Sequence, residues 1–207
     1  MNKLLNNIEN IKKSRIEKRV NNRIKEFKEF KNKDNNSLFK ELCFCLLTAN
    51  YSAEGGIKVQ CEIGEGFITL TEKELSTKLK KCGYRFPNVR AKYIAAARNN
   101  KDNLKEILNE FSDNELREWF VKNIKGLGYK EASHFLRNIG FDDYAIIDFH
   151  IIDLLVKYNL IKRPKTISKI KYLEIEDLLR KIAEASNLTL AELDLYLWCM
   201  ETGKVLK

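Results

Sequence analysis

Apolar residues recur at intervals of three and four along nearly the whole chain, and that spacing leaves it little choice but helices. Leu4, Ile8, Ile11, Ile16, Val20, Ile24, Phe27 and Phe30 carry the pattern through the N-terminal part. β-Branched alternation nowhere exceeds four or five positions, and the 207 residues contain two prolines. The predicted class is all-α, with enough chain for one substantial core or two small ones sharing a cleft. The expected domains are 35–135, and 1–34 together with 136–207.

Local signals punctuate this pattern. Asp34-Asn35-Asn36-Ser37 reads as a break and a helix cap, and SLFKELCFCLLTAN after it is apolar almost all round, as a central buried helix would be. Asn50 stands where that helix emerges, either as a turn residue or as a group able to fill space in a DNA stack. A helix is predicted over 53–61, and Thr71 caps another that runs to Lys81. In CGYRFPNVRAKYIAAARNN, Tyr84, Arg85 and Phe86 fall on a loop stiffened by Pro87, ahead of a helix turning Val89, Tyr93, Ile94 and Ala97 inward. Exposed aromatics beside arginine are suited to opening a base stack; the other reading folds them back on the core. Further helices are expected over 103–110, 113–122, 149–158, 174–186 and 190–200.

Charge narrows the partners. The formal net charge is +9, and residues 1–33 hold eleven Lys and Arg against four Glu. An excess of this size favours a polyanion, although the N-terminal charges themselves are read first as a solvated face on a packed helix, ahead of direct DNA contact. No apolar run reaches the roughly 18 residues of a membrane span, and the N-terminus is too polar for a signal peptide. A cytoplasmic, nucleoid-associated protein is expected. Cys43, Cys45, Cys61, Cys82 and Cys199 form no CxxC pair. They are read as reduced core residues, with no metal or cofactor expected.

The stretch with chemical content is NIKGLGYKEASHFLRNIG, followed by AIIDFH. Gly126 and Gly128 separate two amphipathic patterns, as in a tight helix-to-helix hairpin. Its amides and the N-terminus of the second helix would make an anion site suited to a DNA phosphate. Lys130 follows directly, and Asp148 comes 18 residues later. A lysine is a nucleophile only when neutral, a form favoured by burial and by nearby positive charge. Attacking a deoxyribose carbon, it would displace the base, become an imine and allow β-elimination of the 3′ phosphate. Asp148 would take the lysine proton and steady the cation growing on the sugar. Two plainer readings stand beside this one: Lys130 binds phosphate, and Asp148 caps a helix.

These residues give the chain a family resemblance. IKGLGYKEASHFLRNIG with AIIDFH, together with LLTAN and GYRFPNVRAKYI, closely resembles the helix–hairpin–helix, Gly/Pro-Asp superfamily of DNA base-excision glycosylases. The resemblance implies that Lys130 marks a bifunctional glycosylase/AP lyase and that Asp148 is the superfamily aspartate. It further implies that Gly126, Gly128 and His150 bind DNA, and that Asn50, Tyr84, Arg85 and Phe86 fill the vacated stack and contact the orphaned base.

Only Cys199 lies near the C-terminus, without the four-cysteine cluster of some branches, and the sequence ends soon after its last helix, in WCMETGKVLK. That pattern looks like the compact type-2 8-oxoguanine DNA glycosylases, which implies that Trp198 and the Lys207 carboxylate belong to a base pocket. 8-Oxoguanine carries a ring N–H where guanine has a lone pair, so an acceptor there discriminates by about 1–3 kcal/mol. The expectation is a monomer that works on double-stranded DNA containing 8-oxoguanine. The alternatives are a glycosylase of the same superfamily for another lesion and a non-catalytic hairpin module.

Overall fold

The computed structural model describes residues 1–49 and 51–207; the side chains at 113 and 114 also lie outside the described residues. Among the described residues there are helices and no strand, as the apolar spacing requires. In chain order the helices are α1 (Asn2–Lys12), α2 (Ile16–Phe30), α3 (Asn35–Thr48), α4 (Ala53–Ile63) and α5 (Gly66–Thr69). Next come α6 (Glu72–Lys81), α7 (Pro87–Ala97), a 3₁₀ stretch (Arg98–Asn103), α8 (Leu104–Glu110) and α9 (Asp113–Asn123). The last four are α10 (Tyr129–Asn138), α11 (Phe149–Lys157), α12 (Lys169–Ala185) and α13 (Leu190–Thr202). The chain divides into two compact units, residues 30–135 and residues 1–29 with 136–207.

The 30–135 unit is built around α3. Asp34 caps it by accepting from the Ser37 amide at 2.7 Å, and that bond holds the Asp34 carboxyl below its ordinary range. Leu38, Phe39, Leu42, Phe44, Leu46 and Leu47 are all fully buried, and α4, α5, α7 and α8 pack around them. An all-round apolar helix can satisfy its surface only by being enclosed in this way. On α7 the inward residues are Arg90, Ala91, Ile94 and Ala97. Val89, expected inward, is 49% exposed because it lies off the stripe these four define.

In the other unit α13 contacts α1, α11 and α12. Val20, Ile24 and Phe27 of α2 join Ala191, Leu195, Tyr196 and Cys199 of α13 in one apolar cluster, to which Val205 adds beyond the helix end. The N-terminal pattern is two helices, since Lys13, Ser14 and Arg15 separate α1 from α2. α12 begins five residues before the predicted 174: Ser168 caps it by accepting from the Lys171 amide at 3.2 Å, and Ile170 in its first turn points to solvent, 72% exposed. All five cysteines are free thiols, and Cys43, Cys45 and Cys199 are buried as expected. Cys61 corrects the core reading, because it lies on the outward face of α4.

Candidate active site and nucleic-acid interface

The hairpin is assembled from both ends. Ser112 and Glu115 form a capping box at the start of α9, the Ser112 hydroxyl donating to the Glu115 carboxylate at 2.6 Å. After α9, Ile124 and Leu127 turn into the core while the backbone reverses, with Gly126 at φ +92°. Glycine is required there twice over, since a Cβ would also run into the Tyr93 ring. α9 and α10 are then tied across the turn. Arg117 Nη1 donates to Ser133 Oγ at 3.2 Å and its guanidinium covers the Tyr129 ring at 5.1 Å, while the Tyr129 hydroxyl donates to the Glu118 carboxylate.

One expectation about this turn needs correction. The Gly128 amide does not stand open as an anion site, because it donates to Glu131 Oε2 at 3.2 Å. Glu131 is the third residue of α10, so its carboxylate reaches back to the residue before the helix, as in half a capping box. The signal was present as a glycine followed three positions later by a glutamate. Lys130 lies beside it in the first turn, its side chain 24% exposed and its Nζ 3.9 Å from Glu131 Oε1. One turn further along α10, His134 is buried with Nδ1 3.5 Å from Thr48 Oγ1. The hairpin therefore presents a half-enclosed amine on a rigid support.

The loop before α7 splits its three candidates. Tyr84 is 4% exposed, its hydroxyl donates to the Leu47 carbonyl at 2.7 Å, and burial pushes its pKa up. It is a core residue fastening the loop to α3, which corrects its assignment to DNA. Arg85 and Phe86 remain outside, with the guanidinium 5.0 Å from the ring centroid. Asn50 lies outside the described residues.

The remaining candidates belong to the other unit. Asp148 has extended backbone angles, φ −106° and ψ −174°, and caps α11 by accepting from the Ile151 amide through Oδ1 at 3.0 Å. Oδ2 has no hydrogen bond among the described residues. The cap thus occupies half of the carboxylate and orients the rest. Phe149, unnoticed in the sequence, is 66% exposed and lies over His150, ring centroids 3.9 Å apart. His150 in turn meets Trp198 edge to face at 4.8 Å. Trp198 has its Nε1–H buried with no hydrogen-bond partner among the described residues. α13 ends at Gly203, which adopts φ +73° and donates to the Cys199 carbonyl at 2.8 Å. Val205 then returns to the core and Lys207 is half-buried. Asp148, His150 and Trp198 are thus gathered within one unit. No group of three His, Cys, Asp or Glu able to hold a metal occurs among the described residues.

The family model for 8-oxoguanine DNA glycosylase matches residues 20–188. The 8-oxoguanine DNA glycosylase/AP lyase of Methanocaldococcus jannaschii is 57% identical over 206 residues, covering 99% of each chain. That of Korarchaeum cryptofilum is 50% identical over 206 residues, covering 99% of this chain and 98% of its own. Among solved structures, the M. jannaschii glycosylase/lyase in complex with 15mer DNA containing 8-oxoguanine superposes with a TM-score of 0.96 over 99% of both chains. The 8-oxoguanine DNA glycosylase of Thermotoga maritima, 44% identical, gives 0.94 over 100% of this chain and 99% of its own. With a hairpin that delivers Lys130 and matches running the length of the chain, this protein belongs to the 8-oxoguanine DNA glycosylase family.

Proposed function

We propose that this protein excises 8-oxoguanine from duplex DNA through a lysine Schiff base and nicks the strand by β-elimination. The observation that carries the reading is the end-to-end match to relatives named for both activities. The lesion nucleotide leaves the stack before reaction, because C1′ is inaccessible to a nucleophile while the base is paired. The neutral Lys130 amine attacks C1′, the bond from C1′ to the base nitrogen breaks, and the base departs after taking up a proton. Opening of the sugar ring leaves an imine between C1′ and Nζ. The imine acidifies the C2′ proton; its removal expels the 3′ phosphate, and water later frees the lysine.

Asp148 takes the proton that Lys130 loses, and its Oδ2 stabilises positive charge on the sugar as the base leaves. The hairpin backbone around Gly126 and the ring of His150 grip phosphates, while Arg85 and Phe86 face the disrupted stack. Trp198 and the Lys207 carboxylate take the base, the carboxylate accepting the N–H that distinguishes 8-oxoguanine from guanine. The protein acts as a monomer, on the nucleoid.

Borohydride reduction during turnover tests the core of this scheme. Wild type should yield a covalent adduct on 8-oxoguanine duplexes, and Lys130→Gln should lose it while still binding the duplex. Trapping that survives in Lys130→Gln would remove the lysine from the mechanism. Run over a panel of single-lesion duplexes, with and without residues appended after Lys207, the assay also tests the base pocket. Unchanged 8-oxoguanine excision by the extended chain would count against the carboxylate.

A further inference from the structure

The polypeptide that delivers Asp148 has no sheet to join. Residues 144–147 lie outside any helix, and Tyr144, Ala145, Ile146 and Ile147 are all buried. Buried backbone must find partners for its N–H and C=O groups, and one face of α12 supplies three of them. Glu176 Oε2 accepts from the Ala145 amide at 2.9 Å. The Tyr172 hydroxyl donates to the Ala145 carbonyl at 2.7 Å and accepts from the Ile147 amide at 3.3 Å. At the outer end Arg180 pairs with Asp143.

The spacing explains why a helix can do this. Residues 172, 176 and 180 recur every four positions, about 6 Å of helix rise. The amides that Tyr172 and Glu176 accept from, those of Ile147 and Ala145, are two residues apart, about 6.6 Å in extended chain. The two spacings nearly coincide, so Tyr172 and Glu176 meet alternate amides of the segment in register, while Arg180 pairs with the side chain of Asp143. The clamp ends one residue before Asp148, and the bond from the Ile151 amide fixes the carboxylate on the other side. Tyr172 and Glu176 are themselves enclosed, which bars water from replacing them.

The geometry points to Tyr172 and Glu176 as positioning residues for Asp148, holding the 145–147 backbone so that Oδ2 meets the sugar as charge develops. The inference rests on the role given to Asp148 under the proposed function. A clamp that served stability alone would affect folding, but its effect on rate would not depend on whether a carboxylate stands at 148.

The test is single-turnover excision of 8-oxoguanine by the full chain, run well below each variant's melting temperature. Tyr172→Phe, Glu176→Ala and Glu176→Gln are measured alone and combined with Asp148→Asn. Tyr172→Phe and Glu176→Ala should slow excision about 10- to 100-fold, the range for a reacting group displaced by about 1 Å, with the Kd for duplex unchanged. Glu176→Gln should stay near wild type, because its amide oxygen still accepts from Ala145. With Asp148→Asn in place neither clamp variant should slow the reaction further, since there is no carboxylate left to aim. Slowing of the same size in both backgrounds, or wild-type rates in Tyr172→Phe and Glu176→Ala, would overturn the inference. Wild-type excision by Asp148→Asn alone is a different result and would sink the role of Asp148 itself. Tyr172→Phe keeps the buried ring, so it decides the matter should Glu176→Ala fail to fold.

Discussion

At the scale of single residues, Asp148 is a helix cap to which the proposed function adds a chemical role. Oδ1 holds the first turn of α11, and Oδ2 has no hydrogen bond among the described residues. The functions separate by substitution, because asparagine caps a helix about as well as aspartate while carrying no charge. Asp148→Asn should therefore melt like wild type, within about 0.5 kcal/mol, and excise 8-oxoguanine at least about 100-fold more slowly. Asp148→Ala should lose in addition about 1 kcal/mol of stability with the cap. Paired melting curves and single-turnover rates check both, and Asp148→Asn turning over normally would reduce the residue to a cap. Glu131 presents the corresponding ambiguity at the hairpin. Its carboxylate occupies the Gly128 amide, so a phosphate that sought this N–H would have to displace it.

At the scale of elements, the turn of the hairpin has no room for a side chain. Gly126 combines a left-handed backbone with close approach to the Tyr93 ring. Gly126→Ala should cost about 1–3 kcal/mol and weaken duplex binding, as read by thermal melting and a binding titration; an unchanged melting temperature would show that the turn can shift. The seat of α13 is sensitive to alkali instead. Burial, with Glu17, Glu192 and Glu9 adding to it, pushes the Tyr196 hydroxyl up from 10.0 to about 12. A raised folded value means that stability is complete below pH 10, where folded and unfolded tyrosine are both neutral. It falls as pH rises towards 12, because only the unfolded chain ionises. Alkaline melts of wild type and Tyr196→Phe should diverge through this window, and parallel curves would contradict the assignment.

At the scale of the whole molecule, charge sets how DNA is held. A net charge of +9 on a protein that reads a lesion rather than a sequence implies affinity drawn largely from phosphate contacts. With about six such contacts, duplex affinity should fall roughly 1,000-fold between 50 and 200 mM salt, with similar slopes for damaged and undamaged DNA. Filter binding across a salt series checks this; a flat dependence would shift the weight from phosphates to the base. No helix among the described residues is long and apolar enough to cross a membrane.

Most of the helical layout was legible because its causes act within one turn. Asp34 and Thr71 mark helix starts through bonds reaching only three residues, and the buried nature of α3 follows from its own composition. The hairpin was equally plain, since few residues besides glycine tolerate φ +92°. The sequence could not say where loop and half-apolar side chains would go, because that depends on distant neighbours. Tyr84 is buried because the Leu47 carbonyl, 37 positions away, needs its hydroxyl. Val89 and Cys61 lie outward because their helix neighbours fill the inward stripe. Arg137 is enclosed in an ion pair with Asp194, 3.2 Å away, and the segment before Asp148 is aligned by α12 residues at least 25 positions later. Short-range stereochemistry and apolar spacing thus determined the helices, their caps and the turn that presents Lys130. Tertiary packing alone decided which polar groups meet, because a buried donor takes whichever acceptor the fold brings within 3 Å or so.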